Sequence, residues 1–260
     1  MIKKLFLLFT LCVLSSCSSS SQKSLKVIAS ATPHAQLLEF VKPDLKEQGI
    51  DLKIIICDDY NTPNRALADK EVDANFFQHL PFLDEQIKQF HYPIMSLAKI
   101  EIEPMGLYSK KLLSLSDLKE KGTVAIPNDP TNEARALRLL ESQGLIKLED
   151  SNNLQATVIH ITQNPKQLKF IEIDAAMLPR VLDDVDLAVI NTNYALQAGL
   201  SPTKDALALE SKDSPYVNII AIRIDEDDRP DIQALKSAMT SEKMRHFIIE
   251  KYQGAILPAF

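Results

Sequence analysis

One segment of the chain combines a predicted helix N-terminus with an arginine, and both features suit an anion. Asn128, Asp129 and Pro130 follow an apolar run; the aspartate can cap a helix, and proline is favoured at its first position. The free N–H groups at such an end favour a negative charge, and Arg135, in the second turn, adds a forked donor that suits a carboxylate. The alternative is that Asp129 only caps the helix and Arg135 only faces water. Spacing alone does not decide between these two interpretations.

Two asparagines stand at strongly apolar segments that predict buried strands. Asn191 directly follows the apolar run 187–190, and Asn218 interrupts the run 217–224. A buried amide must find a hydrogen-bond partner or it lowers stability. A bound ligand would be a suitable partner, and a loop carbonyl would serve equally well.

The composition excludes several classes of function. The chain has 260 residues, of which 45% are hydrophobic and 25% charged, which is ordinary for a globular protein. Its six glycines all stand apart, so no glycine-rich loop can cradle a phosphate or a dinucleotide. The formal net charge is −6 and no basic run occurs, which argues against nucleic acid as a partner.

Motifs for catalysis or metal binding are also missing from the sequence. There is no serine-nucleophile elbow, paired-histidine zinc helix, calcium loop or Walker-type motif. The five histidines are spread singly, so a zinc site would need distant segments to converge. We therefore expect no catalytic residues, no metal and no cofactor. The acidic run 225–228 is interpreted as a solvated loop.

The first residues have the pattern of an export signal. Two lysines precede the apolar run 5–14, and small residues and Cys17 follow it. Leu14-Ser15-Ser16-Cys17 resembles the lipobox of bacterial lipoproteins, in which the cysteine is acylated and becomes the first mature residue. This resemblance predicts a signal peptide over 1–16 and a lipidated tether over 17–24; the alternative is a plain secretory signal with an incidental cysteine. Cys57 then has no disulfide partner and is expected to be a small buried side chain.

The order of apolar segments predicts an α/β fold. Short apolar runs alternate with helical patterns, beginning with a strand over 25–29, a helix around 37–45, a strand over 52–57 and a helix near 64–70. Nearly continuous apolar runs at 123–126, 187–190 and 217–224 indicate strands covered on both faces of a parallel or mixed sheet.

Two breaks in this order divide the chain into two predicted lobes. They lie around 103–106 and 211–215 and enclose a middle segment that has its own strands and helices. We expect lobe I to comprise 25–104 plus 216–260 and lobe II to comprise 105–215. The chain would cross between the lobes twice and leave a ligand cleft around which they can hinge.

Six segments, in one order along the whole mature chain, resemble the NlpA-type family of methionine-binding lipoproteins. They are SATPHA at 30–35, DANFFQHLPFL at 73–83, IPNDPTN at 126–132 together with Arg135, LPRVLD at 178–183, AVINTN at 188–193 together with Tyr194, and SPYVN at 214–218. The sequence departs mildly from the family pattern: Phe82 stands where many members have tyrosine, and Phe76 where a small residue is common.

The resemblance implies a two-lobed periplasmic-binding-protein fold and a function in transport. L-methionine, or D-methionine or a derivative, would bind in the cleft and be delivered to an ABC permease with its ATPase subunit. The protein would be a lipid-anchored monomer of the cell envelope, facing the periplasm or the exterior. By the same resemblance, the side-chain pocket is formed by Tyr60, Phe77, His79 and Phe82, the carboxylate is bound by Arg135, and the amino-acid backbone is bound by Asn128, Asn191 and Asn218.

Such a residue set matches what a zwitterion with a thioether tail requires. It needs one fixed cation, neutral amides and an aromatic slot, because sulfur favours ring edges. Phe76 is assigned to the core instead, since alternation along a strand turns it away from Phe77. Competing hypotheses are an enzyme on the same scaffold, a metal-binding importer component that uses the scattered histidines, and a surface antigen whose pocket has decayed.

Overall fold

A computed structural model describes residues 23–260, which form two mixed sheets flanked by helices and one small two-stranded sheet. The predicted signal peptide over 1–16, the lipidated Cys17 and most of the tether over 17–24 lie outside these residues. The strands are β1 (Lys23–Ala29), β2 (Ile50–Ile56), β3 (Ala74–His79), β4 (Ile94–Ile102), β5 (Gly106–Tyr108), β6 (Thr123–Pro127), β7 (Lys147–Leu148), β8 (Ile161–Gln163), β9 (Lys169–Ile173), β10 (Leu187–Ile190), β11 (Ala208–Leu209), β12 (Val217–Arg223) and β13 (Leu257–Pro258). The helices are α1 (Gln36–Glu47), α2 (Thr62–Ala68), α3 (Leu80–Phe90), α4 (Pro130–Ser142), α5 (Thr192–Gln197), α6 (Pro202–Asp205), α7 (Pro230–Met239) and α8 (Glu242–Tyr252).

The two sheets correspond to two lobes. The first has the strand order β13-β4-β12-β3-β1-β2 and the second has the order β11-β5-β10-β6-β9. In each sheet the central βαβ units are parallel, and antiparallel strands complete one side. The α/β class and the two-lobed fold predicted from the sequence are thus confirmed.

The chain passes between the lobes twice, and we call these segments the crossovers. The first joins β4 to β5 through 103–105, and the second joins β11 to β12 through 210–216. Both fall where the sequence breaks were found. The exact lobe limits, 25–104 plus 216–260 and 105–215, stay a prediction.

Each lobe has a core on both faces of its sheet, because successive strand residues point to opposite sides. In β1, Val27 packs into one apolar cluster and Ile28 into another. In β6, Val124 and Ala125 are divided between the two clusters of the second lobe in the same way. This two-sided burial explains why these strands are apolar almost throughout. Phe76 is completely buried in the first core, as predicted.

The acidic run 225–228 is a turn whose aspartates are exposed, as predicted, and its Glu226 also pairs with Arg223 at 2.7 Å and with Arg229 at 2.6 Å. The expectation for Cys57 was wrong. Cys57 is only half-buried, and its Sγ lies 3.3 Å from Asp59 Oδ2. None of the helices within 23–260 is both long and apolar enough to cross a membrane.

A charge network ties the start of α7 to the first strand. Asp231 is 1% exposed and accepts hydrogen bonds from Lys23 at 3.0 Å and from Arg229 at 2.8 Å. Burial alone would raise the pKa of Asp231, but the hydrogen bonds from Arg229 and Lys23 outweigh it and lower that pKa to about 2.

This pKa predicts how stability responds to acid. A carboxyl group whose pKa is lower in the folded state contributes stability at neutral pH, and this contribution is lost between pH 4 and pH 2. Replacing Asp231 by asparagine should therefore lower the free energy of unfolding by about 1–2 kcal/mol at pH 7 and by much less near pH 2. Urea titrations at several pH values measure both effects. The exposed Asp213, replaced by asparagine, is the matched control, and an equal loss in both variants would contradict the prediction.

Candidate ligand-binding cavity

A small cavity of about 20 Å³ lies between the lobes. Its wall combines three aromatic rings, several amides and one arginine. The lining residues are Tyr60, Phe77, Gln78, His79, Phe82, Glu103, Asn132, Arg135, Asn191, Thr192, Asn193 and Asn218.

The fold places these side chains at the ends of strands that point towards the cleft. Phe77 and His79 end β3, Asn191 follows β10, and Asn218 lies in register opposite His79. Ligands of open α/β sheets bind at the carboxyl ends of the parallel strands. The cavity therefore occupies the position that the topology makes available.

The aromatic part of the wall belongs to lobe I. The ring centroids of Tyr60, Phe77 and Phe82 are 5.9 Å apart in each pair. These tilted and edge-on arrangements are favourable and leave ring edges and faces available. An unbranched apolar side chain, or a thioether, fits such a wall.

His79 is held neutral at the border between the aromatic and polar parts of the cavity. Its Nδ1 accepts from the backbone N–H of Phe82 at 3.1 Å, so that Nε2 carries the proton and donates to Asn132 Oδ1 at 3.1 Å. Burial and the nearby Arg135 lower its pKa to about 3. His79 therefore brings a hydrogen-bond donor to the site, and no charge.

Arg135 is 3% exposed and is neutralised within the protein. Its Nε and Nη2 bind the carboxylate of Glu210 at 3.0 Å and 2.5 Å, and Nη2 also donates to the backbone carbonyl of Glu103 at 2.7 Å. The ring of Tyr216 lies 4.6 Å from the guanidinium carbon. Burial opposes the charge, but Glu210 raises the pKa of Arg135. Nη1 makes no hydrogen bond within 23–260 and remains able to bind an anion.

Unpaired amide atoms complete the polar part of the cavity. Asn191 Oδ1 and Asn193 Nδ2 are buried without a hydrogen-bond partner among the described residues. Buried amide atoms are rarely left unsatisfied. The cavity therefore offers one amide acceptor and one amide donor for a polar group that enters it.

Hydrogen bonds join the lobes around the cavity. Tyr60 of lobe I donates to Asn193 Oδ1 of lobe II at 2.6 Å, and His79 bonds to Asn132. Farther out, Tyr194 donates to the carbonyl of Asp58 at 3.0 Å. The structure is thus the closed arrangement of the two lobes.

Seven of the eight residues expected to bind the ligand line this one cavity. They are Tyr60, Phe77, His79, Phe82, Arg135, Asn191 and Asn218. The structure does not bring Asn128 into it: that residue is exposed and faces a neighbouring open cleft. Asn132 takes its place, because the residues just before α4 lie at the rim, whereas the first turn reaches the cavity.

Sequence reasoning also missed Gln78, Glu103 and the pair Thr192–Asn193. The resemblance included INTN at 190–193, so a signal for the pair was present. Glu103 carried no such signal, because it lies in a break between strands. Asp129 caps α4 as predicted, accepting from the backbone N–H of Asn132 at 3.0 Å.

One group of metal-ligating residue types occurs within 23–260. The ligand atoms of His34, Glu101 and Glu103 lie within 4.8 Å of one another. This buried group offers three ligands, one fewer than a structural zinc site takes. His91, His160 and His246 join no such group.

The fold and the cavity define this chain as a two-lobed solute-binding protein. A solved structure of a nutrient-binding protein from Burkholderia cenocepacia, described as bound to methionine, superposes with a TM-score of 0.88 at 48% identity and covers 91% of this chain and 100% of that one. The methionine-binding lipoprotein MetQ of Bacillus subtilis is 41% identical over 270 residues, 98% of each chain. The D-methionine-binding lipoprotein MetQ of Salmonella typhi is 45% identical over 222 residues, which are 84% of this chain and 82% of that one. The family model for NlpA lipoproteins matches residues 25–260, and the chain belongs to that family.

The different positions of Asn132, in the cavity wall, and Asn128, outside it, predict different effects on stability. Asn132 Oδ1 accepts from His79 and from Asn191 Nδ2 at 2.8 Å, so Asn132→Ala leaves two buried donors unsatisfied. We expect its free energy of unfolding to fall by about 1–3 kcal/mol, while Asn128→Ala stays within about 0.5 kcal/mol of the parent. Denaturant titration of the two variants is the measurement. Equal stabilities would show that Asn132 does not organise the cavity.

Proposed function

We propose that the protein is the lipid-anchored solute-binding component of an ABC importer and that it binds L-methionine between its lobes. The observation that carries this proposal is a buried arginine with one partner-free nitrogen, facing an aromatic-lined cavity. The names of the relatives in Bacillus and Salmonella and the methionine-bound structure from Burkholderia support it. D-methionine is the second candidate ligand, favoured by the name of the Salmonella relative.

The polar groups of the cavity suit the two charges of an amino acid. The carboxylate would bind Nη1 of Arg135 and Nδ2 of Asn193, two cavity donors that have no hydrogen-bond partner within 23–260. The ammonium group would bind acceptors such as Asn191 Oδ1. Charge-assisted hydrogen bonds of this kind are the strongest that a neutral pocket can form with a zwitterion.

The aromatic wall suits the methionine side chain. The rings of Tyr60, Phe77 and Phe82 surround the space on the lobe I side of the cavity. Sulfur makes favourable contacts at ring edges, and an unbranched chain adapts to an irregular slot. A charged side chain would lose its hydration here without gaining a partner.

Delivery to a permease would follow from closure. Ligand contacts made by both lobes stabilise the closed arrangement, which a permease can then distinguish from the open one. A protein with this role needs no catalytic group. A monomer with its ATPase-coupled permease as partner is the simplest assembly.

The role of Arg135 predicts a large loss of affinity on truncation. Arg135→Ala should weaken L-methionine binding by about 2 kcal/mol or more, roughly 30-fold, because the buried carboxylate loses its charged partner. Titration calorimetry after unfolding and refolding, which removes any bound ligand, measures this. Arg138→Ala is the matched control, since Arg138 lies one turn farther along α4 outside the cavity.

Arg135→Lys distinguishes the contribution of the positive charge to methionine binding from that of the forked shape of the guanidinium group. It keeps a cation opposite Glu210 but loses the fork, so intermediate affinity is expected. If Arg135→Ala binds methionine as the parent does, Arg135 is not part of the site. A folded parent that gives no heat with either enantiomer would overturn the proposed ligand.

The lipid anchor predicts a change in cell fractionation. Cys17→Ser removes the acylated atom, so the protein should move from the membrane fraction to the soluble fraction. Metabolic labelling with a fatty acid should disappear in the same variant. Cys57→Ser is the matched control, and labelling that persists in Cys17→Ser would contradict the lipobox assignment.

A further inference from the structure

Three titratable side chains lie buried together beside the ligand cavity, and we call them the carboxyl cluster: His34, Glu101 and Glu103. His34 Nε2 lies 3.5 Å from Glu101 Oε1 and 3.2 Å from Glu103 Oε1. The side chains are 1%, 0% and 5% exposed, respectively. Within 23–260, neither nitrogen of His34, neither oxygen of Glu101 and not Oε1 of Glu103 makes a well-aligned hydrogen bond.

Two carboxylates this close and this dry cannot both be charged unless a cation compensates them. Arg135 faces the cluster from α4, but its charge is already matched by the carboxylate of Glu210. The other groups that face the cluster are neutral: Tyr60 before α2, Tyr252 on α8, and the amide of Asn218 on β12, which lies beside Glu101 and opposes the rise of its pKa. The protein itself therefore does not supply the missing positive charge.

In the empty protein, bound protons supply the positive charge that the carboxyl cluster needs. Burial, together with repulsion from Glu101, raises the pKa of Glu103 to about 8, and burial likewise raises the pKa of Glu101 to about 8. Burial lowers the pKa of His34, which therefore stays neutral. At neutral pH the carboxyl cluster holds protons and carries little charge.

Glu103 is the member of the carboxyl cluster that reaches the cavity. It lines the cavity wall, and its side chain keeps the small exposure that Glu101 lacks. It also lies beside Arg135, since the Glu103 carbonyl accepts from Nη2 of that residue at 2.7 Å. A ligand whose carboxylate binds Arg135 would bring its α-ammonium group, one carbon away, into the same part of the cavity.

We propose that Glu103 is the counter-ion of the α-ammonium group of the bound amino acid, and that the carboxyl cluster releases a proton to solvent when this group binds. The inference rests on the proposed function and names the residue that recognises the ammonium end of the ligand. It follows from the position of Glu103 in the cavity wall and from the charge already cancelled between Arg135 and Glu210.

The proton balance fixes the sign of the pH dependence. In the empty protein a proton occupies the carboxyl cluster; in the complex the ammonium group replaces it as the positive charge, and the proton passes to the buffer. Binding therefore weakens as the pH falls below about 8, by up to about tenfold per pH unit. Above that pH the dependence disappears, because the carboxyl cluster has already lost the proton.

Calorimetry of the refolded protein with L-methionine tests this directly. Titrations at pH 6, 7 and 8, each in phosphate and in imidazole, give the number of protons released, because the two buffers take up protons with different enthalpies. We expect release approaching one proton per ligand at pH 6 and 7 and less at pH 8. Binding with no proton release at any of these pH values would overturn the inference and leave the proposed function intact.

Two variants separate the members of the carboxyl cluster. Glu103→Gln should bind methionine more weakly at pH 8 and show no proton release. Glu101→Gln removes only the neighbour that disfavours ionisation of Glu103, so at pH 7 it should release fewer protons and bind methionine more tightly than the parent, by less than tenfold, while its affinity above pH 8 stays unchanged. If Glu103→Gln releases as many protons as the parent, Glu103 is not the linked group. Melting temperatures of both variants establish that they are folded.

A ligand analogue tests the contact without any substitution in the protein. 4-(Methylthio)butanoate is methionine without its amino group, and the parent protein should bind it at least 100-fold more weakly than methionine and without proton release. In Glu103→Gln the ratio of the affinities for methionine and for the analogue should be at least tenfold smaller than in the parent protein. An unchanged difference would show that another group binds the ammonium. If methionine itself gives no heat with the folded parent, the proposed function fails, and this inference fails with it.

Discussion

The burial of Arg135 is the constraint on which the rest of the cavity depends. A guanidinium group at 3% exposure must be paired, and here its partners come from both crossovers: the carbonyl of Glu103 in the first, and the carboxylate of Glu210 and the ring of Tyr216 in the second. The helix that carries Arg135 is thereby tied to the two segments about which the lobes must bend. An anion that binds the remaining nitrogen acts at the hinge itself.

Most of the other polar groups are arranged so that no further charge is needed. His79 is fixed as a neutral donor by the N-terminus of α3, and Asn132 accepts from it while donating to Asp129 at 2.9 Å. This chain of bonds crosses from one lobe to the other. Closure therefore assembles the polar wall, because neither lobe alone satisfies these atoms. A neutral polar wall of this kind suits a zwitterion and repels a ligand with net charge.

Much of the fold was predictable because the local signals and the global fold agree. The strand over 187–190 has the bounds that its apolar run predicts, and α4 begins at Pro130 behind its aspartate cap. Elsewhere the observed helix bounds differ from the predicted ones by a few residues. For example, α2 begins at Thr62, whereas the sequence predicts a start near residue 64. Its start depends on Asp59, whose carboxylate accepts the N–H of Thr62 at 2.8 Å, a capping contact from three residues upstream.

The site residues could be predicted where the family resemblance named them, and less well where only residue types and spacing were available. Side chains on strand ends and on the first turn of helices converged as expected. Asn128 was misplaced because a motif does not tell which of two asparagines, four residues apart, turns inward. The carboxyl cluster could not be predicted, because His34 and Glu101 are distant in sequence. They meet because the helical turn 31–35, just before α1, places His34 beside the side chain of Glu101.

The contrast between Arg135 and Glu103 explains how one cavity can bind a zwitterion in a dry environment. Arg135 is charged permanently and needs a permanent partner, so its anion-binding capacity is reduced to one nitrogen. At neutral pH, Glu103 is charged only when ligand is bound. In the empty cavity a proton takes the place of the ligand's ammonium group. A fixed carboxylate at this position would need a second buried cation, with a desolvation cost that pairing seldom recovers. A neutral amide would avoid the cost and bind the ammonium group less tightly. A protonatable carboxyl group avoids both drawbacks. The consequence is that the affinity for the amino acid decreases as the pH falls.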